Sequence, residues 1–374
     1  MSRTGGLAVT AMGLIAFLAS VVALLVWQDR PASAESAVPG TTITVNTDAD
    51  EANTDGDCSL REALKAANNN VAVDECAAGQ AGAKDAIFFS LGKRAKIVLK
   101  RALPTVTSTA GLTIFGGNEA KITVSGDGKV RVFTVGRGAK LNVRNLTVAD
   151  GFANGNNSGG QVGGGVKNNG GTLRVFRSTF SGNNALSIGG GIANVGGGTL
   201  SIKNSTFAGN RAGEAGGAIL NAGKLGVAYS TFSNNDAELV GGGIQNANSK
   251  RAITTLDNTV LAKSTNGNIN NVCSGGQCRG KIIDGGYNIS DDASFRFTTK
   301  TSKGSTNPRL DPRGLRYNGG PTQTIALRTT SPAINSIPKG TNGCGTTTKA
   351  DQRGVHRPRG GKCDAGAFEK ILLR

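Results

Sequence analysis

The fold is decided by four copies of one motif: Gly-Gly-Gly-Val-Lys-Asn (163–168), Gly-Gly-Gly-Ile-Ala-Asn (189–194), Gly-Gly-Ala-Ile-Leu-Asn (216–221) and Gly-Gly-Gly-Ile-Gln-Asn (241–246). The copies begin 26, 27 and 25 residues apart, and each is followed by two apolar anchors with a constant spacing of seven. The anchor pairs are Leu173 and Phe180, Leu200 and Phe207, Leu225 and Phe232, and Ile253 and Val260. Repeats of roughly 20 to 50 residues indicate stacked units, and short alternating runs rich in Gly, Asn and Thr favour strands over helices. The expected fold is all-β: a parallel β-helix whose coils each contain three short strands and three turns.

Equivalent side chains of successive coils lie about 4.8 Å apart in such a solenoid. Phe180, Phe207 and Phe232 are therefore expected to stack inside it. Asparagines recur at two repeat positions, and amides held in register can hydrogen-bond to their own copies along the axis. The predicted structural ladders, for which ligand binding is the alternative use, are Asn168–Asn194–Asn221–Asn246 and Asn183–Asn210–Asn235.

Composition divides the chain into four parts. Residues 1–34 contain an apolar run, 35–84 an N-terminal cap, 85–306 the coils, and 307–374 an irregular C-terminal cap with six of the nine prolines. We expect eight or nine coils between Asp85 and about Lys300. Within 150–161, a polar, Gly-rich insertion predicts a protruding loop.

The N-terminus predicts export. Arg3 precedes an apolar run from Leu7 to Trp27, and Ala32-Ser33-Ala34 offers a signal-peptidase site. The run is also about as long as a membrane-spanning helix, so an uncleaved N-terminal anchor is the alternative. Either interpretation places the rest of the chain outside the cytoplasm, secreted or in the cell envelope.

Six cysteines agree with export, because even numbers of cysteines in exported chains usually form disulfides. Fifteen pairings are open to six cysteines, and the most sequence-local set is Cys58–Cys76, Cys273–Cys278 and Cys344–Cys363. Zinc binding is the alternative use of the thiols, but the chain has a single histidine and no paired Cys-x-x-Cys units.

A short helix is predicted where the first cysteine lies, in Cys58-Ser-Leu-Arg-Glu-Ala-Leu-Lys-Ala-Ala-Asn68. Ser59 and Glu62 have the spacing of a capping box, and Leu60, Ala63, Leu64 and Ala67 share one face. A solenoid needs a cap over its open hydrophobic end. We therefore interpret Arg61 and Glu62 as cap and ion-pair residues rather than as a catalytic pair.

Two stretches resemble known families. Cys58-Ser-Leu-Arg-Glu-Ala-Leu64 is similar to the CSLREA motif of exported bacterial right-handed parallel β-helix proteins, and the C-terminal part resembles the choice-of-anchor Q type domain. The matching C-terminal pieces are Leu315–Leu327, Ser331–Asn335, Asp351–Gly354, Arg357–Pro358 and Asp364–Glu369. The resemblance covers roughly residues 40–370; it implies a right-handed β-helix in an extracellular or envelope location, and no established enzymatic activity.

The C-terminal segment is rich in charges that can pair with one another. Asp351, Arg353, Arg357, Asp364 and Glu369 are expected to form a network that locks the segment onto the last coil. His356, the only histidine, has no nucleophile nearby in sequence and is expected at the surface.

The net charge of +17, or +16 without residues 1–34, attracts polyanions such as acidic polysaccharides and other envelope polymers. The plainer interpretation is that the charge only keeps the protein soluble. The cations expected to contact a glycan are Arg144, Arg174, Arg177 and Lys203. Aromatic residues make up 5% of the chain and no nucleic-acid-binding signature is present, so a nucleic-acid partner is not expected. No cofactor, metal or oligomeric state is assigned, and membrane contact is expected only through an uncleaved N-terminal segment.

Two classes of function remain. The first is a non-catalytic envelope or extracellular scaffold that serves adhesion and binds anionic glycans. The second is a polysaccharide lyase or glycoside hydrolase, since glycosidases need two carboxylates about 5 to 10 Å apart and uronate lyases need a base and clustered acids. The acids to consider are Glu214, Asp236 and Glu238, with Asp284, Asp291 and Asp292 as a second group. Because no neighbouring coil repeats these acids, the first class is favoured.

Overall fold

A computed structural model of the chain describes residues 39–155 and 160–371. The described part is a parallel β-helix of about seven turns, which confirms the predicted fold. Its two longest sheets each stack eight strands between Lys84 and Ser290, close to the expected eight or nine coils. The predicted signal peptide or anchor, residues 1–34, lies outside the described residues, as do residues 156–159 of the predicted loop.

Four parallel sheets form the walls of the solenoid. The nine-stranded sheet contains Pro39–Val45, Lys84–Phe89, Leu112–Phe115, Lys140–Arg144, Thr172–Phe176, Thr199–Lys203, Lys224–Ala228, Ile253–Asp257 and Lys281–Asp284. The eight-stranded sheet contains Arg94–Val98, Lys121–Ser125, Thr147–Ala149, Thr179–Ser181, Thr206–Ala208, Thr231–Ser233, Val260–Ala262 and Ile289–Ser290. The six-stranded sheet contains Phe133–Val135, Val166–Asn169, Ile192–Val195, Ile219–Asn221, Ile244–Asn246 and Ile269–Asn271. A fourth, narrow sheet contains Phe152–Ala153, Asn184–Ala185, Arg211–Ala212 and Asp236–Ala237.

The remaining elements lie outside these walls. They are one α-helix, Leu60–Asn69, one 3₁₀ turn, Thr341–Gly343, and the short antiparallel pair Ile337–Pro338 and Lys362–Cys363.

The repeat spacing sets the register of the coils. Leu173, Leu200 and Leu225 pair in sequence along the nine-stranded sheet, and all three are buried. The rings of Phe180 and Phe207 stack with centroids 4.8 Å apart, and those of Phe207 and Phe232 with centroids 4.9 Å apart. The coil rise thus brings like side chains into contact, which favours dispersion between them.

Both predicted rows of asparagines form hydrogen-bonded ladders. In the first, Asn168, Asn194 and Asn221 each donate from Nδ2 to the Oδ1 of the next member, at 2.7, 2.8 and 3.0 Å. This ladder extends one step further than predicted, since Asn246 donates to Asn271 at 2.9 Å. The second ladder has the same form, with 2.9 Å from Asn183 to Asn210 and from Asn210 to Asn235. Because the amides are buried and also bond to main-chain carbonyls, their role is structural.

The N-terminal cap has the predicted helix and capping box. Ser59 accepts from the Glu62 amide, and the Glu62 carboxylate accepts from the Ser59 amide at 2.9 Å. Arg61 does not pair with Glu62: its guanidinium forms a buried two-point pair with Asp50, both contacts 2.8 Å long, and also donates to two main-chain carbonyls. The helix buries Leu60, Ala63 and Leu64 against the first coils.

All six cysteines form the predicted sequence-local disulfides. The Cα–Cα distances are 4.9 Å for Cys58–Cys76, 4.1 Å for Cys273–Cys278 and 5.9 Å for Cys344–Cys363. The first ties the capping helix to the loop after it, and the third joins two parts of the C-terminal segment.

The C-terminal segment lies along one flank of the solenoid rather than on the last coil alone. Its Tyr317 ring lies under Arg94 and Lys121 of early coils, while Asn342 bonds to the Gly285 carbonyl near the other end. Phe295 and Phe297 instead pack against the core where the coils end. The expectation that the segment caps the last coil was therefore too narrow, because it braces most of the solenoid from the side.

Hydrogen bonds of three threonines and one glutamine attach the C-terminal segment to the solenoid. Thr179, Thr206 and Thr231 occupy the same outward position in three strands of the eight-stranded sheet. Thr206 donates to Gln352 Oε1 at 2.7 Å, and Gln352 donates back to Thr179 Oγ1 at 3.0 Å. Thr231 Oγ1 accepts from the Ala367 amide at 3.0 Å. The predicted charge network lies within the segment, where Arg357 pairs with Glu369 at 3.2 Å with both side chains fully buried.

Candidate functional site

The outward face of the nine-stranded sheet has three rows of side chains that run along the solenoid axis. Outward positions alternate along each strand. The first row contains four lysines, with Gly111, Thr172, Thr199 and Ile253 at the intervening positions: Lys84, Lys140, Lys224 and Lys281. Lys140, Lys224 and Lys281 are exposed, and no residue of 39–155 or 160–371 forms an ion pair with any of them. This lysine row therefore places positive charge at intervals along the coils.

The middle row is low and polar. In strand order it contains Ala86, Thr113, Asn142, Arg174, Ser201, Gly226, Thr255 and Ile283. Most of these side chains are short, and Gly226 has none. A Cβ placed on Gly226 would meet no atom within 4 Å, so the middle row is open to solvent there.

The third row, at the edge of the sheet, has aromatic and cationic side chains in its first five positions and ends with Ala228 and Asp257. It begins Phe88, Phe115, Arg144, Phe176 and Lys203. The Arg144 guanidinium lies 5.8 Å from the Phe115 ring centroid and 5.3 Å from that of Phe176, within the range of cation–π attraction. The ring of Phe88 is partly exposed at one end of this row.

The four cations predicted to contact a glycan differ in position. Arg144 and Arg174 lie on the nine-stranded face, in the third and middle rows. Arg177 lies in the following turn, with φ of 50°, where its guanidinium is 5.0 Å from the Phe176 ring. Lys203 requires a correction: it is 2% exposed and its Nζ donates to the Thr347 carbonyl at 3.0 Å, because the C-terminal segment covers it.

The lysine row was missed by the sequence analysis, although a signal for it was present. Lys140, Lys224 and Lys281 each directly precede an apolar residue of a nine-stranded strand: Leu141, Leu225 and Ile282. The residue before an inward anchor points outward. Looking one position before each anchor would therefore have aligned the three lysines on one face.

In the first group of candidate catalytic acids, two of the three carboxylates form ion pairs with one arginine. Arg211, from the preceding coil, contacts Asp236 at 3.1 Å and Glu238 at 2.7 Å. Glu214 accepts instead from the Ser187 hydroxyl at 3.0 Å. The contact with Asp236 and Glu238 raises the pKa of Arg211, so this cation stays charged between the two carboxylates. The arrangement is that of an exposed ion-pair cluster.

The second group of acids anchors loops at the end of the solenoid. Asp291 accepts from the Lys263 amide and from Asn268, and Asp292 accepts from the Asn268 amide at 2.7 Å. Burial raises the pKa of Asp284, but hydrogen bonds from Ser302, Thr299 and Asn288 outweigh it, and the net pKa lies below the usual value. These carboxylates act as acceptors for the main chain and for neighbouring hydroxyls.

The pKa of Asp257 shifts in the opposite direction to that of Asp284. Asp257 is the acidic residue at the end of the third row, half-buried one coil before Asp284. Burial, with repulsion from Asp284, raises the pKa of Asp257 to about 6. The pair has separated pKa values, as acid–base pairs often do, but the acceptor capacity of Asp284 is taken by loop groups.

One group of carboxylates lies close enough to hold a cation. Glu51, Asp55 and Asp57, beside the capping helix, have carboxylate oxygens within 4.8 Å of one another. Desolvation and repulsion from Asp55 raise the pKa of both Glu51 and Asp57. Oxygen ligands of this kind suit Ca²⁺, but exposed carboxylates also cluster without an ion, and we assign no metal there. His356 is exposed in the C-terminal segment, as expected.

Comparisons with known proteins leave the face to be interpreted from its own chemistry. Within 39–155 and 160–371, none of the helical segments has the length and apolar character needed to span a membrane. Searches against protein-family models, curated proteins and solved structures found no significant match to this chain.

Proposed function

We propose that this protein is an exported, non-catalytic β-helix scaffold that binds anionic glycans of the cell envelope or extracellular matrix. The observation that carries the proposal is the lysine row: Lys140, Lys224 and Lys281 lie exposed on one flat face without acidic partners among the described residues. Of the described outward positions of that face, the one carboxylate is half-buried Asp257. A surface of one sign attracts polymers of the opposite sign.

Export is supported by three disulfides, which persist mainly in oxidising compartments. It is supported further by the apolar N-terminal run and by the CSLREA-like motif at Cys58–Leu64. In that location the polyanions available to a basic face are mostly acidic polysaccharides and related envelope polymers.

Binding without cleavage is favoured over a lyase or glycosidase by the state of the candidate acids. Arg211 neutralises Asp236 and Glu238, whereas a glycosidase needs one protonated and one free carboxyl group across a sugar. The proposed binding face itself carries no pair of free carboxylates among its described residues.

The test is an immobilised array of acidic and neutral glycans, read at low and at physiological salt, with analysis of the same polymers for cleavage products. We expect retention on acidic glycans that weakens with salt, because screening lengths fall to about 8 Å at physiological ionic strength. Retention on none of the acidic glycans at low salt would refute the proposal. Release of unsaturated or reducing-end products that is lost in Asp236→Asn or Glu238→Gln would establish the enzyme instead.

A further inference from the structure

We infer that the bound glycan is an unbranched acidic chain that lies parallel to the solenoid axis, in a trough on the nine-stranded face. The inference rests on the proposed function and adds to it the surface, the direction of the chain and the shape of the ligand. The trough is defined by its floor, the middle row from Thr113 to Thr255, and by its two margins, the lysine row and the third row.

The floor and the margins differ in height and chemistry. The floor has short hydroxyl and amide side chains at Thr113, Asn142, Ser201 and Thr255, and none at Gly226. Arg174, between Asn142 and Ser201, is the exception and adds a positive charge to the floor. The hydroxyl and amide groups can exchange hydrogen bonds with sugar hydroxyls, which are both donors and acceptors. One margin carries the long ammonium side chains of Lys140 and Lys224. The other carries Arg144 and, over buried Lys203, the C-terminal segment, and it is low at Ala228 beside Gly226.

The C-terminal segment closes one side of the trough. Thr347 reaches over the third row, where its carbonyl accepts from Lys203, and the Ala350 carbonyl accepts from Asn204 in the adjoining turn at 2.9 Å. A branch on that side would collide with this segment. The trough therefore favours a linear chain over a branched one.

The spacing of the lysines sets the direction and the length of the ligand. Lys140 and Lys281 are separated by five strand spacings, which is about 24 Å at roughly 4.8 Å per spacing. Lys140 and Lys224 are three spacings apart, about 14 Å. A chain lying across the sheet would meet one of the three exposed lysines, whereas a chain along the axis meets all three.

The shared chemistry of the ligand is a linear polymer with anionic groups repeated along it, in the form of carboxylates or sulfates. Fully de-esterified polygalacturonate, which carries carboxylates alone, and a linear sulfated galactan, which carries sulfates alone, distinguish these two sources. Methyl-esterified polygalacturonate is the matched uncharged control. Duplex DNA and vesicles of anionic lipid test the other polyanions. Because the trough is narrow and its floor is suited to hydroxyls, we expect both to be retained more weakly than the preferred glycan at physiological salt.

The decisive variant fills the trough without changing the fold. Gly226→Glu places a carboxylate on the floor, at a position where a side chain meets no atom within 4 Å. Gly92→Glu is the matched control, since Gly92 lies in the turn before Arg94 and also has open space around it. Both variants change the net charge by the same amount. We expect Gly226→Glu to weaken glycan binding at least tenfold and Gly92→Glu by less than twofold.

A second pair of variants tests the lysine row. The triple variant Lys140→Ala, Lys224→Ala, Lys281→Ala is compared with Lys93→Ala, Lys300→Ala, Lys362→Ala, three exposed lysines elsewhere. Each lowers the net charge by three from +17. If each lysine near a polyanion contributes about fivefold, the first triple loses on the order of 100-fold and the control much less. Affinity should also rise with oligomer length and level off near 24 Å, the five spacings of about 4.8 Å between Lys140 and Lys281.

The outcomes separate the two proposals. Absence of binding to every acidic glycan by the native protein refutes the proposed function. Binding that is equally strong in Gly226→Glu and Gly92→Glu, or equally weakened in the two triples, leaves glycan binding in place and refutes the trough. Equal or tighter retention of DNA or anionic vesicles at physiological salt also refutes it.

Discussion

The first asparagine ladder should be a large source of stability, and Asn194→Ala tests it. Asn194 is fully buried between two neighbours of its own kind. Its Nδ2 donates to Asn221 Oδ1 at 2.8 Å and to the carbonyls of Gly198 and Lys224 at 3.0 and 3.1 Å. Its Oδ1 accepts from Asn168 at 2.7 Å. The substitution removes all four contacts and leaves a small void.

The expected loss of stability depends on which hydrogen bonds the former partners of Asn194 retain. Four hydrogen bonds at a net value of about 1 kcal/mol each give about 4 kcal/mol. Several partners retain another bond: Asn168 still donates to the Gly171 carbonyl, and Asn221 Oδ1 still accepts from the Gly223 amide. The penalty for unsatisfied groups is therefore small. We expect a loss of about 3 kcal/mol in the free energy of unfolding.

Urea denaturation followed by far-ultraviolet circular dichroism measures this loss. Asn169→Ala is the control, because Asn169 is exposed and directly follows Asn168 in the preceding coil. It should change the free energy of unfolding by less than about 0.5 kcal/mol. Asn194→Asp should be worse than Asn194→Ala, because it places a charge in the core and removes the donor. A loss below about 1 kcal/mol for Asn194→Ala would show that the ladder is only a consequence of the fold.

Three further predictions concern other parts of the molecule. The pKa of Asp257 is raised to about 6, so the folded state holds this proton more tightly than the unfolded state. The free energy of unfolding should therefore fall as pH rises from about 4 to 6, by up to about 3 kcal/mol. In denaturation curves measured over a pH series, Asp257→Asn should remove this fall. Gln352→Ala removes the donor to Thr179, Thr322 and the Gln323 carbonyl. Limited proteolysis should then cut the C-terminal segment sooner than in the native protein. Unchanged protection of the segment from the protease would mean that its apolar contacts alone hold it. Replacing Cys344 and Cys363 by serine opens a link with a sequence separation of 19 and should lower the free energy of unfolding by about 3 kcal/mol, with Cys273/Cys278, a separation of 5, as the milder comparison.

The sequence could predict whatever depends on repetition. Leu173, Leu200 and Leu225 recur at fixed distances from their phenylalanines, so their register and the stacking of the rings follow from the spacing alone. The upstream coils lack this regularity: near Val106 the chain forms only an isolated bridge instead of a full strand. That irregularity is one reason why the six-stranded sheet is shorter than the nine- and eight-stranded sheets.

The sequence could not predict contacts that depend on the path of a non-repeating segment. Lys203 occupies an outward position, as its alternation indicates, and it is buried only because residues near Thr347 pass over it. The C-terminal segment has no periodicity that would fix where it lies. Gln352 lies in the matched piece Asp351–Gly354, but neither its sequence position nor that of Asn342 indicates which residues of the coils they contact.

The eight-stranded and nine-stranded faces of the solenoid differ in the cost of covering their outward side chains. This difference explains why the nine-stranded face stays exposed to solvent at its lysine row. Thr179, Thr206 and Thr231 lose little when they are covered, because each hydroxyl finds a partner in the C-terminal segment. Covering Lys140, Lys224 or Lys281 would remove an ammonium group from water, which costs several kcal/mol unless a partner replaces the water, as the Thr347 carbonyl does for Lys203. The chain offers no such partner for these lysines among its described residues, so it folds its own C-terminal segment onto the threonines and leaves the lysines in solvent. An anionic ligand, which supplies the missing charge, can cover that face at much lower cost than any uncharged segment.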